Sequence, residues 1–215
     1  MTLTPWPVVV FDLDGTVADT IDLIIASYSH AVNSVLGLPL DPLRARRWIG
    51  RTLNDVMAEE YPGRDAELLT AYFAFNTVKA PEYIKPFPGM NELLEELERG
   101  GIRTAVATSK RASSAAETLE LVGATVTAMI TMEDTLHHKP DPEPLLLAVS
   151  RLGGDASRAV YVGDAVVDVD AAKAAGMASI AVTWGAGDRA DLVASEPTAV
   201  VDTPAQLRDV LLGLA

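Results

Sequence analysis

The sequence predicts an α/β fold: a parallel sheet with helices on both faces, plus a small all-helical segment inserted after the first strand. Two observations predict it. Short β-branched runs alternate with helical patterns along most of the chain, and one stretch of about seventy residues breaks that rhythm with helices alone. With 215 residues and no cysteine, the chain is long enough for a full core without disulfide or metal staples. The missing thiol also excludes cysteine nucleophiles.

The first strand is Pro7–Phe11, apolar and bounded by Pro and Asp. Residues 18–85 then read as helices over Asp22–Leu36, Asn54–Glu60 and Arg64–Val78, punctuated by Pro39, Pro42, Pro62-Gly63 and Pro81. No strand is expected there, and the crossings are placed near Val17–Thr20 and Pro81–Pro88. Residues 1–17 and 86–215 form the expected core domain, and 18–85 the helical cap. In the core, Leu93, Leu94 and Leu97 recur at helical spacing within Met90–Arg99, which ends at Gly100-Gly101. Strands follow at Ile102–Ala107, Val126–Thr131, Ala159–Val162, Ala178–Val182 and Ala199–Val201, with helices over Glu143–Leu152 and Asp168–Ala175. Short apolar strands separated by helices are the pattern of a parallel sheet buried on both faces.

The formal charge of −13 repels polyanions, which argues against nucleic acid and anionic membranes as partners. No apolar run approaches the roughly 18 residues that span a bilayer. No basic and apolar leader is visible, so the cytoplasm is the expected location.

The chemistry gathers where strands end. Asp12 and Asp14, in Phe11-Asp12-Leu13-Asp14-Gly15-Thr16, are two carboxylates two residues apart at the end of the first strand. Thr108-Ser109-Lys110 ends the second, Lys139-Pro140 precedes a helix, and Gly163-Asp164 ends the fourth with Asp168 four residues on. Each alone also suits a turn, a helix cap or a solvated lysine. Together they place four carboxylates on one sheet edge, where a hard divalent cation such as Mg²⁺ relieves the repulsion. Metal, lysine and hydroxyl together form a receptor for a phosphoryl group.

This ordered set resembles the haloacid-dehalogenase superfamily across the whole chain, and its Rossmann-like core with a helical cap. The paired aspartates resemble that superfamily's phosphatases and phosphomutases. The resemblance implies that Asp12 is the nucleophile and Asp14 the general acid and base. It implies that Thr108, Ser109 and Lys139 hold phosphoryl oxygens. Asp12, Asp164 and the Asp14 backbone carbonyl would ligate Mg²⁺, with Asp168 orienting that shell. Asp22-Leu23-Ile24-Ile25, Trp48-Ile49-Gly50-Arg51 and Phe75-Asn76 are similar to the phosphoglycolate phosphatase group and its inorganic pyrophosphatase relatives. Thr20 departs from that group, many of whose members carry Ser. The expected substrate is a small phosphorylated metabolite or pyrophosphate, with a sugar-phosphate phosphomutase as the alternative. Arg44, Arg46, Arg47 and Arg51 reverse the local charge. Arg51 is the first candidate for substrate selection, followed by Arg47 and Asn76.

Overall fold

The computed structural model describes residues 6–214. Strand β1 (Val8–Phe11) is followed by the two-residue β2 (Ala18–Asp19) and then by four helices. These are α1 (Ile21–Leu36), α2 (Pro42–Arg46), α3 (Leu53–Glu60) and α4 (Asp65–Tyr83). The chain returns through β3 (Lys85–Pro86), which pairs antiparallel with β2. Helix and strand then alternate: α5 (Met90–Arg99), β4 (Arg103–Ala107), α6 (Ala112–Val122), β5 (Ala128–Ile130), α7 (Glu143–Arg151) and β6 (Ala159–Gly163). The last elements are α8 (Val166–Ala174), β7 (Ala178–Val182), α9 (Arg189–Ala194), β8 (Ala199–Val201) and α10 (Pro204–Leu211).

The main sheet has six strands in the order β5-β4-β1-β6-β7-β8, all parallel. β1 is central, and its four residues are buried. Alternate β1 side chains face opposite layers. Val9 and Phe11 join Leu93, Leu94 and Leu97 of α5 and Leu207 of α10. Val8 and Val10 join Leu145 and Val149 of α7 and Ala171 of α8. This two-sided burial is why the strand reads as an unbroken apolar run. Strand order reverses at β1, whose neighbours are β4 on one side and β6 on the other.

The helical insertion has its own apolar cluster. Ile24 and Tyr28 of α1 pack with Trp48, Val56 and Met57 of the middle segment and with Leu68 and Tyr72 of α4. Its helix ends carry local stops. Gly37 closes α1 in the left-handed conformation, and Asp41 caps α2 by accepting from the Leu43 amide. Thr52 caps α3 in the same way through the Asp55 amide.

The structure differs from the sequence expectations at several margins. β2 and β3 are strands where none was expected, and they pair at the two crossings. Two residues are too few to show an alternating pattern. Helix α2 is only five residues long, less than two turns, so no helical period exists to be read. Helix α4 runs to Tyr83, past Val78, with Pro81 inside its last turn. A proline there forfeits one backbone hydrogen bond near a helix end, where the loss is smallest. Helix α8 begins at Val166, two residues early, because the Asp168 carboxylate caps it by accepting from the Ala165 amide at 3.0 Å. Among the described residues, no helix is long and apolar enough to cross a membrane.

Candidate active site

Parallel register brings the strand ends to one edge. Phe11 lies opposite Val106 of β4 and Val162 of β6, so Asp12, Thr108 and Asp164 emerge side by side. Lys139 reaches them from the loop between β5 and α7. Asp12, Thr108, Lys139, Asp164 and Asp168 are all buried. Ligands of open α/β sheets bind at this edge, where strand order reverses.

Lys139 holds the centre. Its Nζ donates to Asp12 Oδ1 at 2.8 Å, to Asp168 Oδ1 at 2.7 Å and to Tyr161 Oη at 3.0 Å. That uses all three ammonium hydrogens. Tyr161 is itself fixed by donating to the Ala107 carbonyl at 2.9 Å. In the sequence Tyr161 is one residue of the strand Ala159–Val162, and nothing local marks it as the lysine's third partner.

Asp164 is locked from several sides. Its Oδ1 accepts from Thr16 Oγ1 at 3.2 Å, and its Oδ2 accepts from the Ala186 amide. The Gly187 amide donates to the Asp164 carbonyl at 3.0 Å. A Cβ on Gly185 or Gly15 would overlap the Asp164 carboxylate. The segment Trp184–Gly187, which the sequence suggests is a rim turn, is therefore a wall of the site. Its two glycines, two residues apart after a strand, were the available signal.

One oxygen from each of Asp12, Asp164 and Asp168 lies within 4.8 Å of the others. Burial pushes the Asp12 carboxyl up to about 7, against the pull of Lys139 and with the help of Asp168 and Asp14. Burial likewise holds Asp164 well above the usual carboxylate range, aided by Asp168 and Asp12. Burial would lower the Lys139 ammonium, but Asp12 and Asp168 outweigh it and hold it well above the lysine range. A set of oxygen donors with excess negative charge out of water fits a hard divalent cation such as Mg²⁺. Asp168 spends one oxygen on Lys139 and the other on the Ala165 amide, which suits it to orienting its neighbours.

Asp14 sits slightly outward. Its Oδ1 accepts from Thr20 Oγ1 at 2.7 Å and from Lys110 Nζ at 2.6 Å. In the sequence Lys110 follows Thr108 and Ser109, and nothing there marks it as a partner of Asp14. Thr108 Oγ1 accepts from the Lys110 amide at 3.2 Å, which orients that lysine. Ser109 Oγ donates to the Gly50 carbonyl at 2.9 Å, linking the core to the helical insertion.

A cavity of about 70 Å³ opens above Asp12 and Asp14. Thr108, Lys110 and Arg111 line it from the core, and Tyr28, Trp48 and Tyr72 from the insertion. Asn76 also lines it, with its Nδ2 donating to Ser27 Oγ at 3.0 Å. Arg51 borders the cavity while pairing with Glu59 at 2.7 Å. Arg47 does not face it, but borders a separate groove beside Ala165, Val166 and Val167. Arg44 pairs with Glu60, and Arg46 donates to the carbonyls of Ala186 (2.8 Å) and Gly185. Arg44, Arg46 and Arg51 thus hold three different sets of partners, while Arg46, Arg47 and Arg51 line the same groove.

Comparison with known proteins accords with this geometry. The chain is 35% identical over 201 residues to a Bacillus velezensis protein named Pyrophosphatase PpaX, covering 93% of both chains. It is 34% identical over 215 residues to a protein of Agrobacterium fabrum named Phosphoglycolate phosphatase, covering 95% of this chain and 92% of the other. The crystal structure of a hydrolase from Pseudomonas syringae superposes with a TM-score of 0.86 at 26% identity, covering 96% of this chain and 98% of that one. Residues 9–182 match the profile of the haloacid dehalogenase-like hydrolases, and the chain belongs to that family.

Proposed function

We propose that the chain is a Mg²⁺-dependent phosphatase that hydrolyses a small phosphorylated metabolite, phosphoglycolate-like in size, through an aspartyl-phosphate intermediate. The observation that carries this reading is the strand end itself. Asp12 lies 2.8 Å from a buried ammonium, beside Asp164 and Asp168 and two residues from a second carboxylate.

In this reading an Asp12 oxygen attacks phosphorus, and the bond from phosphorus to the leaving oxygen breaks. Asp14 donates its proton to that oxygen and then takes one from the water that cleaves the aspartyl-phosphate. Lys139, Thr108 and the Ser109 segment hold the phosphoryl oxygens. Asp12, Asp164 and the Asp14 backbone carbonyl hold Mg²⁺, and Asp168 orients them. When bound, the cation supplies charge neutralisation for the transferring group. Residues 18–85 act as a cap that excludes water over the core of 1–17 and 86–215. A cytoplasmic setting suits a cysteine-free, acidic chain.

The test is free-phosphate release from a panel of phosphate esters. Asp12→Asn should keep the fold and lose turnover, and excess EDTA should silence the wild type until Mg²⁺ is restored. An Asn variant retaining more than a few per cent of the rate, or full activity in EDTA, would refute the reading.

A further inference from the structure

The three partners of the Lys139 ammonium are not alike. Asp168 accepts through Oδ1 at 2.7 Å while its other oxygen takes the Ala165 amide at 3.0 Å, so it is anchored at the start of α8. Tyr161 accepts on its phenol oxygen at 3.0 Å. Its own hydrogen goes to the Ala107 carbonyl at 2.9 Å, since the other acceptor in reach, Asp168 Oδ1, is farther at 3.5 Å. Two of the three partners are thus tied to backbone on their far side. The third, Asp12 Oδ1 at 2.8 Å, is the carboxylate that borders the cavity.

The strand layout brings the phenol to this place. Tyr161 on β6 lies opposite Val10 of β1, and Val10 lies opposite Ala105 of β4. The ring joins the layer of Val8, Val10, Leu145 and Val149 and reaches past the central strand to a carbonyl of β4. Ala105 and Ala107 are the β4 residues in that layer, and their small side chains leave room for a ring. Tyr161 is 1% exposed and does not line the cavity above Asp12, so it acts only through Lys139. The place calls for a neutral acceptor. An apolar side chain would leave a buried ammonium hydrogen unpaired, and a carboxylate would add a fourth buried acid to Asp12, Asp164 and Asp168.

We infer that Tyr161 is a positioning residue for phosphoryl transfer: with Asp168 it fixes two hydrogens of Lys139, so that the third is aimed at Asp12 and is the one shared with the transferring group. This rests on the phosphatase reading above. Tyr161→Phe keeps the ring and removes the acceptor. Lys139 keeps its charge and both carboxylates, so its attraction for a bound phosphate persists, while its direction, which matters most at the transition state, is lost. In phosphate-release assays with Mg²⁺, kcat should fall about tenfold while KM changes by less than about twofold. Calorimetric titration with orthovanadate, which mimics the transition state, should show about tenfold weaker binding at unchanged stoichiometry, with inorganic phosphate affected by less than about twofold. Damage to the fold alone would lower the stoichiometry and leave the vanadate affinity intact; that result, or a wild-type kcat, would overturn the inference. Absence of wild-type turnover on every ester would instead fail the phosphatase reading. A crystal structure of Tyr161→Phe then decides the inference: Nζ displaced from Asp12 upholds it, and Nζ still bonded to both Asp12 and Asp168 overturns it. Should the Phe variant not fold, fluorotyrosine at position 161 keeps the ring and weakens the acceptor. A loss of about two- to threefold in kcat then upholds the inference, and an unchanged rate overturns it.

Discussion

Stripping divalent cations from this protein should reverse the usual effect of raising pH on its stability. Asp12 is driven from the ordinary 3.8 to about 7 by burial and by the neighbouring carboxylates, and Asp164 is driven in the same direction. A carboxyl with a higher pKa in the fold than in the unfolded chain binds its proton more tightly when folded. Its contribution is complete below pH 3.8 and is lost as pH rises through 7. At about 1.36 kcal/mol per pH unit, Asp12 alone accounts for about 4 kcal/mol, of which roughly 2–3 kcal/mol disappears between pH 5 and pH 8. Asp164 adds to the same slope. Lys139 stays protonated throughout that window and does not oppose it. The acids held below their usual range, Glu96, Asp134, Glu143, Asp155 and Asp202, act in the opposite sense but finish titrating below pH 5. The assay is urea denaturation followed by tryptophan fluorescence at pH 5, 6, 7 and 8, in EDTA and in excess Mg²⁺. In EDTA, stability should fall across the series, equivalent to about 5–10 °C in Tm. In Mg²⁺ the ionised carboxylates gain their partner, so the slope should vanish and the two curves should diverge most at pH 8. Stability in EDTA that is flat or rises from pH 5 to 8, or an equal slope in both conditions, would refute the reasoning.

Gly185→Ala places a Cβ where the Asp164 carboxylate now sits. It should weaken Mg²⁺ binding by calorimetry about tenfold or more while leaving far-UV circular dichroism unchanged, and unaltered affinity would show that the wall is not tight. Arg46→Ala removes two hydrogen bonds that join the insertion to the loop gripping Asp164. It should enlarge the radius of gyration in solution scattering and speed amide exchange in α2, whereas an unchanged profile would mean that other contacts hold the insertion in place.

What could be read in advance follows from how far each feature depends on distant residues. The strands were legible because burial on both faces makes Val8–Phe11 and Ala159–Gly163 uniformly apolar, and Asp or Gly ends each run. Asp12, Thr108, Lys139 and Asp164 were legible because parallel strands deliver their ends to one edge, so chain position predicts spatial position. Lys110 was not, since its pairing with Asp14 spans 96 residues and depends on a side-chain direction that no local pattern fixes. Arg47 and Arg51 show the converse. Four residues apart, both line the groove beside Ala165, Val166 and Val167, but only Arg51 also borders the cavity over Asp14, because α2 ends at Arg46 and no helical face carries the two together over the site. Tyr28 and Tyr72 look like core aromatics by composition. Only the packed structure shows that both line the cavity over Asp12 and Asp14.

The paired strands β2 and β3 have a consequence for how the chain assembles. Ala18 lies opposite Pro86 and Asp19 opposite Lys85, so the polypeptide leaves the sheet and re-enters it at one point. Seen from the core, everything between is a loop already closed at its neck. Lengthening such a loop adds closure entropy only logarithmically, about 0.6 kcal/mol for each doubling. The neck thus decouples the history of the two parts. Segments of different length or sequence can be exchanged beyond β2 and β3 without moving β1, and the carboxylates that follow it keep their positions while the chamber above them is rebuilt.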